Sequence, residues 1–177
     1  MTTGLSVRVR ALGADDAAAY QALRLQGLLE SPSAFASSHE EERDIPLAAV
    51  GARLANQQQG CVLGAFDAGR LLGVVGLRRE SLKKLAHKAH IWGMYVEPSA
   101  RRFGIGRQLV ARALEQAAAT EGVRQVTLGV NAANAPAVGL YEGMGFVSFG
   151  REQGCLMVDG VLHDELHMVR RLAPADA

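Results

Sequence analysis

The stretch Tyr95-Val-Glu-Pro-Ser-Ala-Arg-Arg-Phe-Gly-Ile-Gly-Arg-Gln-Leu-Val110 places three arginines and two glycines between an apolar, strand-like segment and the start of a helical pattern. Glycine lets an anion approach the backbone closely, and the first N–H groups of a helix have no partner inside the helix. Arginine pairs with phosphate oxygens. The stretch therefore predicts a phosphate-binding loop, with a solvated basic helix start as the alternative on these residues alone.

Two common phosphate-binding motifs do not fit this loop. The dinucleotide fingerprint GxGxxG requires a third glycine where the chain has Leu109, and Gly104 lies eight residues beyond Val96, where the predicted strand ends. A P-loop requires Gly-Lys-Ser/Thr, which does not follow here. The phosphate ligand is therefore expected to be neither a dinucleotide held by a Rossmann turn nor a P-loop nucleotide.

Length and composition predict one soluble domain over residues 1–177. The chain is 49% hydrophobic and 21% charged, and its formal net charge of +1 indicates neither a nucleic-acid nor a membrane partner. The start lacks the pattern of a secretory leader, and no apolar run approaches the length of a membrane span, so we expect a cytoplasmic protein. Cys61, Cys155 and the five histidines lack metal-ligand spacing, so no metal is expected.

Hydrophobic periodicity predicts strands interleaved with helices, an α/β or α+β arrangement rather than a helical bundle. The predicted strands are 6–12, 61–66, 71–79, 88–96, 126–130, 146–153 and 161–172, with turns at 67–70 and 159–160. The predicted helices are 15–30, 46–58, 104–120 and 136–144, and 34–44 is ambiguous. Positions expected to be buried in the first helix include Tyr20, Leu23, Leu28 and Leu29. The third helix is expected to bury one face made of Ile105, Leu109, Val110, Ala113, Leu114 and Ala117.

Further motifs follow the opening loop along the chain in a fixed order. Arg101-x-x-Gly104-x-Gly106 is followed by Asn134 and then by Leu140-Tyr-Glu-Gly-Met-Gly-Phe146. This series resembles the GNAT superfamily of N-acetyltransferases, over residues 61–172 by its motifs and over the first sixty only by element order. The resemblance implies a mixed, mostly antiparallel central sheet of about seven strands, splayed at its middle and flanked by about four helices.

The resemblance also implies acetyl-CoA as co-substrate. Its pyrophosphate would lie on the loop and helix start, made of Arg101, Arg102, Phe103, Gly104, Ile105, Gly106 and Arg107. Backbone groups of Met94, Tyr95 and Val96 would hold the pantetheine arm and the acetyl carbonyl, and Asn134 would bond the same arm. On its residues alone, Asn134 fits equally well as a turn or N-cap residue before Pro136.

Two residues are predicted to be catalytic from the resemblance. Tyr141 matches the tyrosine near the thioester sulfur, where a phenol can protonate a departing thiolate; the alternative is a core aromatic. An attacking amine must lose a proton, and His90, six residues before Val96, matches the position of a base in some branches. Glu97, which is more typical of a solvated carboxylate, and a water chain are the rival bases.

Other positions concern the acceptor. Trp92 is expected to share a strand face with His90 and Met94, either as a pocket wall or as core packing. A run of three glutamates either lines an amine pocket or forms a solvent-exposed surface; it consists of Glu40, Glu41 and Glu42. Ribosomal-protein N-terminal acetyltransferases carry Leu-Glu-Val in the next strand, whereas this chain has Leu128-Gly129-Val130, which makes a peptide N-terminus a less supported acceptor.

The predicted function is transfer of acetyl from acetyl-CoA to a primary amine by direct attack in a ternary complex. Small amines, amino acids, antibiotics and protein amines all remain possible acceptors, selected by residues 34–44, 90–94 and the C-terminal strands. The alternative is a non-catalytic acyl-CoA-binding or sensing module on the same fold. A homodimer is compatible with the superfamily; nucleic-acid and membrane partners are not expected.

Overall fold

The computed structural model describes residues 6–58 and 60–172. Its seven strands are β1 (Arg8–Ala11), β2 (Gly60–Asp67), β3 (Arg70–Arg79), β4 (Lys88–Val96), β5 (Gln125–Asn131), β6 (Val147–Val158) and β7 (Val161–Arg171). The α-helices of these ranges are α1 (Ala17–Glu30), α2 (His39–Glu42), α3 (Leu47–Ala55), α4 (Ile105–Ala119) and α5 (Ala135–Gly143). None of these helices is long and apolar enough to cross a membrane.

All seven strands form one sheet in the order β1-β2-β3-β4-β5-β7-β6. Every neighbouring pair is antiparallel except β4 and β5. That parallel pair is short, because only residues 88–90 of β4 pair with residues 125–127 of β5. The predicted mixed, mostly antiparallel sheet that splays at its middle is therefore confirmed.

Helices cover both faces of the sheet. On one face α4 packs against the centre of the sheet, and each residue of its predicted apolar face is at most 6% exposed. Full burial of a leucine such as Leu109 contributes about 1.5–3 kcal/mol. On the other face α1 and α3 enclose a second cluster that includes Leu23, Leu28, Leu54 and Tyr95.

Several details differ from the sequence-based expectations. The structure has a fifth α-helix, α2, which Ser38 and Glu41 begin with a capping box. Leu29 is 63% exposed instead of buried, because it lies about 100° around the helix from Leu28, beyond the edge of the packed face. Strand β6 is longer than predicted because it pairs with β7 through the hairpin turn at Asp159-Gly160, where both residues have positive φ.

A bulge in β4 reverses the side-chain alternation near the end of that strand. Val74 pairs with Tyr95 but Gly76 pairs with Trp92, so β4 carries one extra residue between those two positions. Gly93, with φ of 61°, lies in this bulge.

The bulge corrects one prediction about side-chain facing. Trp92 packs on the α1 side, and His90, two residues earlier, shares its face by strand alternation, whereas Met94 packs against the core on the α4 side. The expectation that Met94 shares a face with His90 and Trp92 was therefore wrong. Period-two counting fails here because the extra residue shifts the alternation by one.

Candidate active site

A cleft of about 610 Å³ lies where β4 and β5 separate, beside the start of α4 and along α5. Its lining includes nearly all of the predicted coenzyme-binding positions: Met94, Tyr95, Val96, Arg101, Arg102, Gly104, Ile105, Gly106, Arg107, Asn134 and Tyr141. Phe103 belongs to the same loop but its side chain is 50% exposed and it is outside the lining. His90 is also outside this lining.

The loop that begins α4 has the backbone of an anion site. Arg102 and Gly104 adopt left-handed φ values of 70° and 75°. Gly104 is the N-cap, and no side chain of the described ranges caps this helix, so the N–H groups of its first turn are available to a ligand. Successive N–H groups around left-handed positions form anion-binding concavities.

Gly106 brings three elements together beneath the loop. A Cβ at this position would lie 3.2 Å from both the Leu140 side chain and the Met94 side chain. That spacing is tight, so glycine lets α4 approach β4 and α5 closely. The same residue therefore shapes the floor of the cleft.

The three arginines of the loop are not equivalent. Arg101 donates to both carboxylate oxygens of Glu30, at 3.0 and 2.7 Å, and to the Val96 carbonyl at 2.9 Å. Its hydrogen bonds hold the pKa of Glu30 below the ordinary value. Arg102 and Arg107 have no ion pair within residues 6–58 and 60–172. The uncompensated positive charge of the cleft therefore comes from these two side chains.

Tyr141 lies at the boundary between the cleft and the core. The residue is 5% exposed, and its ring meets Phe146 edge-on with centroids 5.8 Å apart. Burial raises the pKa of Tyr141 to about 12. Its hydroxyl is therefore protonated at physiological pH and can donate a hydrogen bond.

Asn134 is the N-cap of α5, because its Oδ1 accepts a hydrogen bond from the Ala137 N–H at 3.2 Å. Asn134 therefore has the N-cap position that was its alternative role, and its predicted bond to the pantetheine arm stays a prediction. The residue also lines the cleft, and the cap uses only its carbonyl oxygen. Its amide NH2 has no protein acceptor within the described part of the chain, so it can donate to a ligand.

His90 lies at the last paired position of the β4–β5 ladder. Its Nδ1 is 3.0 Å from the Thr127 hydroxyl, which itself donates to the Ala89 carbonyl at 3.4 Å. When Thr127 donates to Ala89 in this way, its oxygen accepts from His90 Nδ1–H, and Nε2 is then the nitrogen that can accept a proton. Burial, with a smaller contribution from Arg78, lowers the pKa of His90 below its ordinary value of 6.5.

The position of His90 does not allow direct contact with a group at the bulge. Gly93 follows it by three strand residues, a separation of about 10 Å. Proton transfer between His90 and a group bound at the bulge would therefore require an intervening water.

Glu97 is not the solvated carboxylate that its position predicted. It is only 6% exposed, and it accepts hydrogen bonds from Arg70 at 2.8 and 2.7 Å and from Ser99 at 2.6 Å. These donors occupy both of its oxygens. Glu97 is therefore a structural carboxylate at the end of β4. The expectation that it is a solvated carboxylate was wrong.

Glu165 is a functional candidate that the sequence alone did not indicate. A side chain at Gly129 on β5 would collide with the Glu165 carboxylate of β7, whose Oε2 would be 3.0 Å from the Cβ. Glu165 Oε1 is 3.7 Å from His167 Nδ1. A carboxylate from the next strand thus lies over the Leu128-Gly129-Val130 segment, which has none of its own. Only the β5–β7 register, which a single sequence does not reveal, brings it there.

A second cavity, of about 350 Å³, lies on the α1 side of β4. Trp92 forms one wall, and its ring covers Gly76, where any side chain would collide with it. Glu42 also lines the cavity and binds Arg24 at 2.7 Å. Of the three adjacent glutamates, Glu42 therefore lines a pocket rather than a solvent-exposed surface.

Comparisons with known proteins agree with this geometry. The family model described as "Acetyltransferase (GNAT) family" matches residues 25–146, well over half of the chain. A mycothiol acetyltransferase of Salinispora tropica is 29% identical over 146 residues, which are 81% of this chain and 45% of that protein. The chain thus spans less than half the length of this relative.

Solved structures share the fold. An acetyltransferase of the GNAT family from Streptococcus pneumoniae has a TM-score of 0.82 and 23% identity, covering 94% of this chain and 100% of its own. A putative acetyltransferase from Salmonella typhimurium, solved with its cofactor acetyl-CoA, has a TM-score of 0.77 and 21% identity, covering 97% of both chains. At these identities the two structures show the fold alone. The family match shows that the chain belongs to the acetyltransferase (GNAT) family.

Proposed function

We propose that the protein transfers the acetyl group of acetyl-CoA to a primary amine. The observation that carries this proposal is the cleft between β4 and β5, which has an uncapped helix start at one part of its wall and a buried, neutral Tyr141 at another. Membership of the acetyltransferase (GNAT) family supports the reaction class. The Salmonella typhimurium relative with bound acetyl-CoA supports the choice of donor.

The proposed binding of acetyl-CoA uses separate groups for its two halves. The pyrophosphate is held by the first N–H groups of α4 and by the charges of Arg102 and Arg107. The pantetheine arm bonds to the β4 edge that β5 leaves unpaired and to the Asn134 amide. Arg101 acts mainly by tying the loop to α1 through Glu30.

The proposed reaction forms a bond between the amine nitrogen and the acetyl carbon and breaks the bond between that carbon and sulfur. The nitrogen loses one proton to a base, and the sulfur receives one from Tyr141. Burial that raises the pKa of Tyr141 to about 12 would also raise the pKa of a thiolate beside it. A raised thiol pKa favours transfer of the proton to the departing thiolate.

Two residues are candidates for the base. His90 can accept a proton through water at Nε2, and its lowered pKa keeps it neutral at physiological pH. Glu165 places a carboxylate over Gly129, on the strand next to the splay. We propose His90 as the base, with Glu165 as the second candidate, since Glu97 is held by Arg70 and Ser99.

The test measures release of the coenzyme A thiol from acetyl-CoA with a panel of primary amines, together with calorimetric binding of acetyl-CoA. We expect binding and amine-dependent thiol release. Binding without any amine-dependent release would support the alternative, a non-catalytic acyl-CoA-binding module. Absence of acetyl-CoA binding would contradict the role of the cleft itself.

A further inference from the structure

The second cavity lies next to the coenzyme cleft, on the other side of β4. Trp92 lines the cavity, Met94 lines the cleft, and the bulge residue Gly93 lies between them. A shallower depression of about 500 Å³ extends the cavity and shares Arg53 and Trp92 with it. The backbone predicted to hold the acetyl carbonyl, Met94 to Val96, follows this bulge directly, so an acceptor bound in this cavity would approach the acetyl group at the bulge.

Arg24 is the most unusual residue of the cavity wall. It is 8% exposed, and its Nε and Nη2 donate to the two oxygens of Glu42 at 3.0 and 2.7 Å. Its guanidinium lies 4.7 Å from the centre of the Phe35 ring. The third nitrogen, Nη1, is buried and has no hydrogen-bond partner in the described part of the chain.

This unpaired nitrogen lies beside the bulge of β4. Nη1 would lie 3.5 Å from a Cβ on Gly93, so it is next to the bulge where cavity and cleft meet. Leaving a buried donor unpaired costs about 1–3 kcal/mol, and more for a charged group. Such a donor is therefore expected to find its partner in a bound ligand.

The charge around the cavity points to an anionic ligand. Arg53 lines the cavity and Arg78 lines the depression, and neither forms an ion pair with any other described residue. Glu42 is the one acidic residue among the described lining residues of both spaces, and Arg24 already binds it. Positive charge therefore exceeds negative charge.

We propose, resting on the acetyltransferase function above, that the acceptor is an α-amino acid whose carboxylate binds Arg24 Nη1 with support from Arg53. The amine of an α-amino acid is close to its carboxylate, so anchoring the carboxylate beside Gly93 places the amine at the bulge. The side chain then enters the cavity, whose apolar wall is formed by residues such as Ile45, Val50, Leu54 and Trp92.

The test compares matched acceptors that differ only in the carboxylate. L-phenylalanine, L-leucine and L-methionine are each compared with the corresponding amide, decarboxylated amine and aminophosphonate in the thiol-release assay. A charge-assisted hydrogen bond contributes about 1.5–3 kcal/mol, so we expect kcat/KM to be about 10–100-fold higher for at least one amino acid than for its amide and amine. Equal kcat/KM values for each amino acid, its amide and its decarboxylated amine would overturn the proposal. A higher kcat/KM for the aminophosphonates than for the amino acids would also overturn it.

Matched variants test the residues. Arg53→Gln is expected to lower kcat/KM for the amino acid by about tenfold and to leave the amide unchanged. Arg8→Gln, on an exposed β1 position outside both lining sets, should change neither. The double variant Arg24→Gln/Glu42→Gln removes both charges of this ion pair, which avoids an uncompensated Glu42, and should abolish the preference for the carboxylate. A preference that survives this double change would contradict the assignment.

A binding measurement, which needs no catalysis, tests the carboxylate site separately from the proposed acetyl transfer. Calorimetry compares binding of the N-acetyl amino acid with binding of the N-acetyl decarboxylated amine. Carboxylate-dependent binding that Arg53→Gln weakens would support the site even if no acceptor were acetylated, in which case only the proposed reaction would fail. Equal binding of the two N-acetyl compounds would overturn the carboxylate site while acetylation of simple amines could persist.

Discussion

The carboxylate of Glu165 on β7 occupies the space that a side chain at Gly129 would fill on β5. The two residues are on neighbouring antiparallel strands, in which Asn131 pairs with Glu165 and Gly129 with His167. Glycine at position 129 is therefore what allows a carboxylate from another strand to lie over β5. This relationship makes residue 129 a test of both packing and activity.

Gly129→Ala is expected to displace the Glu165 carboxylate, because the new Cβ would collide with it. Because the displaced atoms are the far end of a flexible, partly exposed side chain, the loss of unfolding free energy is expected to be below about 1 kcal/mol, which denaturant unfolding would measure. Gly150→Ala is the matched control on β6, since nothing lies within 4 Å of a Cβ there. A similar loss of stability in both variants would show that the contact with Glu165 is not the cause.

The pH dependence of kcat/KM distinguishes the two candidate bases. Only neutral His90 can accept a proton, and its pKa is below the ordinary value of 6.5. Activity should therefore be retained at pH 7 and be lost as the pH falls below about 6.5 through this lowered pKa. We expect His90→Gln to remove that acid limb and Glu165→Gln to retain it.

If Glu165→Gln removes the acid limb and His90→Gln retains it, the base is Glu165.

The pH dependence of folding stability gives an independent check of the pKa of His90. Because the unfolded chain binds a proton at His90 more readily than the folded protein does, stability should decline as the pH falls below about 6.5. His90→Gln should remove this contribution to the pH dependence of unfolding. An unchanged dependence would contradict the lowered pKa.

Arg107 and Arg101 should differ in their effect on coenzyme binding. Arg107 has no ion pair in the described ranges, whereas Arg101 is already bound to Glu30. We expect Arg107→Gln to raise the Kd of acetyl-CoA by about 10-fold or more, as loss of a charge-assisted hydrogen bond predicts. Arg101→Gln should have a smaller effect, since Glu30 compensates its charge.

S-acetylpantetheine, which lacks the pyrophosphate, is the control ligand for this comparison. Its binding should be insensitive to Arg107→Gln, and the effect on acetyl-CoA should weaken as salt is added, because exposed charges are screened. Equal losses for the two ligands would mean that Arg107 does not contact the pyrophosphate.

Local patterns in the sequence predicted the elements that build the cleft. The limits of β4 and the buried face of α4 were predicted correctly, because they depend on periodicity within one segment. The loop with Gly104 was likewise identified from glycine and arginine spacing, and it lines the cleft as expected. The catalytic and binding roles of these residues stay predictions.

Features that depend on contacts between distant segments were missed. The bulge at Gly93 arises from the register of β3 against β4, and it reversed the expected facing of Met94. Glu97 is buried because Arg70, on another strand, reaches it. Glu165 reaches Gly129 only through the β5–β7 register. Such pairings require the positions of two strands at once, which one sequence does not supply.

The most direct test of the central claim is Tyr141→Phe, with kcat and the Kd of acetyl-CoA measured on the same preparation. A general acid contributes about 10²–10⁴-fold to a rate, so kcat should fall by at least about 100-fold. Because the change removes only the hydroxyl of a buried ring, the Kd and the unfolding midpoint should stay close to those of the original protein. An unchanged kcat with intact binding would contradict the assignment of Tyr141 as the proton donor.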